Sequence, residues 1–132
     1  VDVEPEETLG HYSDWLKSGG TTSIRRLNDF SKKHQLRLGE VLLLPVDTDG
    51  QRSAFDRQRR DYHRVLVDEF KEHYEIIEVL NYVTKKGDSL WKLARTQGIP
   101  TWLIMRYNPL LRSAAPVVSQ VLKMPRIQRR GS

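Results

Sequence analysis

The 132-residue chain contains no cysteine, which removes disulfide cross-links, thiol nucleophiles and cysteine-ligated metals from consideration. It has no apolar run approaching the ~20 residues that a membrane-spanning helix needs, so no membrane insertion is expected, and it shows no signal-peptide pattern. The first residue is Val1 rather than methionine. The natural N-terminus is therefore expected upstream, with room for a fused domain, and the missing signal says nothing about export. Acidic residues are scarce in one region only: residues 81–132 hold 10 basic residues and 1 acidic, against 6 and 9 over residues 1–50. The net charge of +5 thus conceals a basic C-terminal part suited to an anionic polymer, an acidic surface or nucleic acid. With 38% hydrophobic and 30% charged residues wholesale disorder is excluded, although a separate unit of ~45 residues is only marginally stable by itself.

What is present is a repeat. VDVEPEETL near the start has a counterpart in YVTKKGDSL, which begins at Tyr82; RRLN ends at Asn28 and MRYN at Asn108. Each Asn is followed 17 residues later by a proline closing a short apolar run, GEVLLLP at Pro45 and SQVLKMP at Pro125. The first leucine lies 19 residues before its Asn in one copy and 18 in the other. Three landmarks in order, with nearly constant spacing, define copies at residues 1–45 and 82–125.

Local signals give each copy the order strand, helix, helix, strand. In the second, Tyr82–Thr84 favour a strand, Gly87 permits a sharp turn, and Asp88 or Ser89 caps a helix that carries Leu90, Leu93 and Ala94 on one face. Gly98 suits a helix C-cap, Pro100-Thr101 starts a second helix through Tyr107, and Gln120–Met124 returns as a strand that Pro125 terminates. In the first copy Thr8 caps, Tyr12 and Leu16 face inward, Gly19-Gly20 breaks the chain, and Ile24 with Leu27 builds the second helix. The two strands of a copy are expected to pair antiparallel with both helices on one face. Between the copies, Ser53 and Asp56 form a capping box for a helix over about 53–73 carrying Phe55, Tyr62, Leu66 and Phe70 at helical spacing, and an extended run follows from Tyr74 to Tyr82. The expected organisation is α+β: a module at 1–45, a connecting segment at 46–81, a module at 82–125 and a basic tail at 126–132.

Gly87-Asp88-Ser89-Leu90, Leu93-Ala94, Asn108 and Gln120 through Pro125 follow in order the pattern of the LysM domain family, with Ser119 where that pattern has glycine. The second copy resembles a LysM domain, and the first resembles a diverged one, with Glu6-Glu7-Thr8-Leu9 in place of Gly-Asp-Ser-Leu but agreement at Leu27-Asn28 and from Gly39 to Pro45. The resemblance implies a βααβ fold and noncatalytic binding of N-acetylglucosamine-containing glycan, peptidoglycan or chitin-like. It implies no cofactor, and a place in the cell envelope, periplasmic or extracellular, as the wall-binding part of proteins such as lytic transglycosylases. It places the glycan groove between Gly87, Asp88, Ser89 and Leu90 on one wall and Asn108, Pro109, Leu110 and Leu111 on the other. A second site would use Glu6, Glu7, Thr8 and Leu9 opposite Asn28, Asp29, Phe30 and Ser31. Backbone groups and short side chains suit an acetamido group, and an apolar patch suits its methyl.

Each residue also has a purely architectural reading. Asp88 and Ser89 cap a helix whether or not a ligand binds, and Asn108 can pin a turn through its side chain. Trp91 and Trp102 fit a sugar platform or helix packing. The first copy fits a binding module or a structural partner held through the connecting helix.

Other functional classes fare worse. Adjacent Glu6 and Glu7 cannot flank one glycosidic bond as a carboxylate pair must. His63, Glu69 and His73 lack metal-ligand spacing, no nucleophile–base order emerges from the 4 histidines, and no loop is built to cradle phosphate. No catalytic residue and no metal is expected. The basic runs at 57–60 and 126–130 would attract phosphates, but Asp56 and Asp61 flank the first, which reads as a solvated helix face. On that reading reversing the charge of Arg59 or Arg60 leaves folding intact, and no nucleic acid is expected as partner. A module keeping the fold without sugar binding, in a structural or protein-interaction role, is the alternative.

Overall fold

The computed structural model describes residues 1–111 and 116–131. Residues 112–115 of the second repeat, and Ser132 at the end of the expected tail, lie outside the described residues. The chain forms two compact units, Val1–Glu69 and Phe70–Ser132.

The first unit holds α1 (Leu9–Leu16), α2 (Thr22–Leu27) and most of α3 (Asp49–His73). Thr8 opens α1 with a reciprocal cap in which His11 takes the usual glutamate's place: Thr8 Oγ1 accepts from the His11 N–H at 3.1 Å, and His11 Nδ1 accepts from the Thr8 N–H at 3.2 Å. Lys17, in the left-handed conformation, ends the helix two residues before Gly19. Val3, Leu9, Tyr12, Trp15, Ile24, Leu42 and Phe55 make the core.

Two expectations change here. The first copy's strands are reduced to an isolated bridge between Asp2 and Val41, because pairing involves only Val1–Val3 with residues 39–42. The connecting helix starts at Asp49 rather than near Ser53, because the reciprocal cap forms one turn earlier. Thr48 Oγ1 accepts from the Gln51 N–H at 3.1 Å, and Gln51 Oε1 accepts from the Thr48 N–H at 3.2 Å.

The second unit holds β1 (Tyr74–Val83), α4 (Leu90–Gln97), α5 (Thr101–Tyr107) and β2 (Val121–Arg129). The strands pair antiparallel from Tyr74 opposite Arg129 to Val83 opposite Val121, with a bulge between Ile76 and Glu78. Both helices contribute to a core of Leu90, Leu93, Ala94, Ile99, Leu103, Ile104, Leu122 and Met124. Mixed helix and strand with an antiparallel pair is the α+β class expected of this part. Pro125, however, does not end β2. In a two-stranded sheet every strand has an open edge, so a residue without an N–H fits where the ladder requires none, and Pro125 sits opposite Val79. Residues 126–129 are accordingly strand rather than tail. Arg126 pairs with Glu78, Gln128 Nε2 donates to Glu75 at 2.7 Å, and Arg130 Nε donates to the Lys71 carbonyl at 2.7 Å.

Candidate functional site

In the second unit the turn from β1 into α4 is built around one carboxylate. Asp88 accepts from the Lys85 N–H at 2.7 Å and from the Tyr82 hydroxyl at 2.8 Å. The backbone bond first, then the tyrosine, hold the Asp88 carboxyl below its usual range, and the same contact raises the Tyr82 hydroxyl above its own. Gly87 completes the turn at φ +88°, a conformation that opposes any side chain. It is exposed, and nothing lies within 4 Å of the place a Cβ would occupy. Backbone is thus open to solvent at this wall. Ser89 is the N-cap, its hydroxyl accepting from the Lys92 N–H at 3.2 Å, and Leu90 is fully buried. Of the four expected residues, two fix the turn, one anchors it in the core and Gly87 exposes it.

The opposite wall divides similarly. Asn108 Nδ2 donates to the Ile104 carbonyl at 2.7 Å and the Lys123 carbonyl at 2.8 Å, and Oδ1 accepts from the Lys123 N–H at 2.7 Å. The side chain is committed to tying the end of α5 to β2. Leu111 is buried, Pro109 is exposed, and Leu110 is 83% exposed, an apolar group offered to solvent. Among the described residues no hydrogen bond joins the 87–90 turn to the 108–111 turn. Packing of α4 on α5 carries both within one unit.

The first unit repeats this bonding at the expected positions. Asn28 Nδ2 donates to the Ile24 and Leu43 carbonyls, and its Oδ1 accepts from the Leu43 N–H, all at 2.8 Å. Glu7 accepts from the Glu4 N–H at 3.0 Å, as Asp88 does from Lys85. Glu6 adopts φ +67°, where Gly87 stands in the second unit. Thr8 caps and Leu9 is buried. Asp29 is also left-handed, at φ 55°, and Phe30 packs on the core with its ring stacked on His34 at 3.7 Å.

The chemistry of Glu7 differs from that of Asp88. Its carboxylate is fully buried and accepts from the Tyr12 hydroxyl, from Arg59 Nε at 2.6 Å and Nη2 at 2.7 Å, and lies 2.7 Å from His63 Nε2. Burial by itself would raise its pKa; the bonds from His63, Arg59, Tyr12 and the Glu4 backbone outweigh it and hold the group at about 2. Contacts with Glu4 and Glu7 in turn raise His63 to about 9 against the opposing effect of burial. Arg59 Nη2 also donates to the Asp2 carbonyl at 2.7 Å, and the Tyr62 hydroxyl donates to the Glu6 carbonyl at 2.6 Å. Arg59 is therefore the centre of a partly buried ion-pair network around the buried Glu7 and not part of a solvated face. Arg59, Tyr62 and His63, spaced i, i+3, i+4, already share one helix face in the sequence; their partner more than fifty residues earlier left no local signal.

Glu4, Glu7 and His63 bring three potential metal donors within 4.8 Å of one another. The Arg59 guanidinium lies between the carboxylates, 2.6 Å from Glu7 and 3.2 Å from Glu4. It already supplies the positive charge a divalent ion would bring, so this donor set does not fit a metal. His63, Glu69 and His73 all lie on α3, where Glu69 and His73 are one turn apart but His63 precedes them by ~9 Å and ~15 Å along the axis, too far to share one ion.

Residues 82–125 match the LysM domain. The LysM match spans the β1–α4 turn, both short helices and the return of β2 through Pro125, and it does not extend to the first unit. Two solved structures of the spore cortex-lytic enzyme SleL also align, from Bacillus cereus at 20% identity and TM-score 0.32 and from Bacillus megaterium QM B1551 at 16% and 0.33. Each alignment covers 96% of this chain and 22% of the enzyme. The chain spans about a fifth of the length of those proteins, and likeness at that level fixes neither arrangement nor activity. No curated protein gave a match. Among the described residues, no helix is long and apolar enough to cross a membrane.

Proposed function

We propose that the LysM segment binds N-acetylglucosamine-containing glycan, peptidoglycan in particular, and holds the protein on cell wall without cleaving it. Gly87 is the observation that carries this reading. A left-handed, exposed glycine beside a rigid capped turn presents backbone donors and acceptors where an acetamido group can reach them, and Leu110 offers apolar surface for its methyl. Recognition by one shallow surface of this kind is weak, and a polymer that offers many copies of the unit compensates through effective concentration. Such a ligand places the protein in the envelope or outside the cell.

We further read the first unit as a diverged LysM-like copy whose site has been turned to architecture. Its shared asparagine bonding, shared cap and left-handed Glu6 support common descent of the fold. The carboxylate at the Asp88 position is spent on Arg59 and His63, and Phe30 packs inward, which favours a helix-docking role over glycan binding. Sedimentation with insoluble peptidoglycan tests both readings. The parent chain and Thr8→Ala should co-sediment equally, and Gly87→Val should stay in solution while retaining the parent's circular dichroism. A folded Gly87→Val protein that sediments as the parent does would overturn the assignment to the second unit, and loss of binding in folded Thr8→Ala would exchange the roles.

A further inference from the structure

Helix α4 has a clear division of faces. Leu90, Leu93 and Ala94 are buried, whereas Trp91, Lys92 and Arg95 stand on the opposite side. An indole on that polar side is out of keeping with its size, and Trp91 remains 61% exposed. A cation packs against its ring: the Arg95 guanidinium carbon lies 5.2 Å from the ring centroid, one helical turn along. Lys92 folds back toward the turn, with Nζ 3.4 Å from the Gly87 carbonyl. Indole, guanidinium and ammonium are thus all exposed on the solvent side of α4, and the ammonium reaches the Gly87 turn. Trp102, the other tryptophan of this unit, is used differently, meeting Phe70 edge-on at 5.4 Å.

The first unit provides an internal contrast. Aligning Leu9 with Leu90 places Gly10 at the Trp91 position, His11 at that of Lys92 and Asp14 at that of Arg95. The unit whose turn carboxylate is consumed internally has neither the aromatic ring nor the arginine.

We infer that Trp91, Arg95 and Lys92 form an acidic-sugar subsite beside the proposed glycan groove, taking a pyranose ring that bears a free carboxylate. The apolar C–H face of a pyranose stacks on an indole, and a carboxylate on the same ring meets the guanidinium and the ammonium. A neutral N-acetylglucosamine unit has only the stacking contact to gain. The inference rests on the glycan reading above and gives it a direction: the sugar carrying the lactyl ether carboxylate, in strands without peptide stems, lies toward α4.

Calorimetric or NMR titration of the full chain with two tetrasaccharides tests it, one of N-acetylglucosamine alone and one alternating N-acetylglucosamine with stem-free N-acetylmuramic acid. The parent should prefer the acidic ligand by about tenfold at low salt, and the preference should shrink as salt screens the charges. Arg95→Gln should reduce that preference to about twofold or less while affinity for the neutral ligand stays unchanged. Trp91→Ala should lower affinity for the acidic ligand by about tenfold, and its exposed position leaves folding intact, as amide spectra would verify. Equal affinity of the parent for both ligands, or a preference surviving Arg95→Gln and Trp91→Ala, overturns the subsite and leaves the glycan reading standing. Failure of the parent to bind either ligand removes the glycan reading itself.

Discussion

Replacing Glu7 by glutamine keeps the side chain's size and removes its charge from the most heavily bonded carboxylate in the first unit. Glu7 accepts from Tyr12, from two nitrogens of Arg59 and from the Glu4 N–H, and it faces His63. A carboxamide presents an N–H₂ toward groups that are themselves donors. Breaking a buried ion pair on one side costs about 3–5 kcal/mol, most of it the isolation of the remaining charge. Arg59 would keep the Asp2 carbonyl and Glu4 as partners, which places the expected loss near the lower end, about 3 kcal/mol. Urea unfolding followed by the amide signals of Ile24 and Leu42, both in this core, should therefore show a midpoint lower by ~1–3 M, with Leu122 of the second unit as reference.

The pH profile carries an independent sign. The folded Glu7 carboxyl titrates at about 2 against an ordinary 4.5, so its contribution is complete above 4.5 and is lost as pH falls toward 2. His63 titrates at about 9 against 6.5, so its contribution is complete below 6.5 and is lost as pH rises through 9. The two overlap in the Glu7–His63 contact and are not summed, and Glu4 is the larger cause of the His63 displacement. The His63 displacement corresponds to ~3 kcal/mol at most, and partial exposure of the ring reduces that to ~1–2 kcal/mol. The first unit should be most stable between about pH 4.5 and 6.5; Glu7→Gln should flatten the acid limb and only reduce the alkaline one, which Glu4 still supports. A loss below 1 kcal/mol with an unchanged pH profile would refute the network's role.

The remaining expectations concern turns and pins. Glu6→Gly should stabilise the first unit by up to ~1 kcal/mol by relieving its left-handed backbone, whereas Gly87→Val should destabilise the second by about 2 kcal/mol; paired urea titrations would check both signs. Asn28→Ala and Asn108→Ala each remove three hydrogen bonds and should each cost about 2 kcal/mol in their own unit, read by hydrogen exchange at Leu43 and Lys123. Arg59→Glu should lower the first unit's unfolding midpoint as strongly as Glu7→Gln, while Arg60→Glu, on the exposed side, should move it by less than ~0.5 kcal/mol.

The second unit was legible because its determinants are local. Gly87, Ser89 and Gly98 set turn, cap and helix end within a few residues, and the burial of Leu90, Leu93 and Ala94 follows from helical spacing. The asparagine landmarks were visible, and their side chains serve the architectural role. Other features depended on non-local partners. Arg59 looked solvated because its acceptors lie near the N-terminus, and β2 continued beyond Pro125 because β1 offered it an edge that tolerates a missing donor. The start of α3 lies before Ser53 because the cap that forms is the Thr48–Gln51 pair one turn earlier, which closes reciprocally. At the candidate site, Trp91's spacing was compatible with packing, and only its 61% exposure separates it from the core.

The central claim, that the turn at Gly87 and the loop after α5 receive a glycan, is tested most directly by residue-resolved NMR of the full chain during titration with N-acetylglucosamine oligomers. Dose-dependent shifts should concentrate at Gly87–Leu90 and Asn108–Leu111, with Glu6–Leu9 and Asn28–Ser31 still. No shift at millimolar pentamer, or shifts confined to the first unit, would contradict the claim.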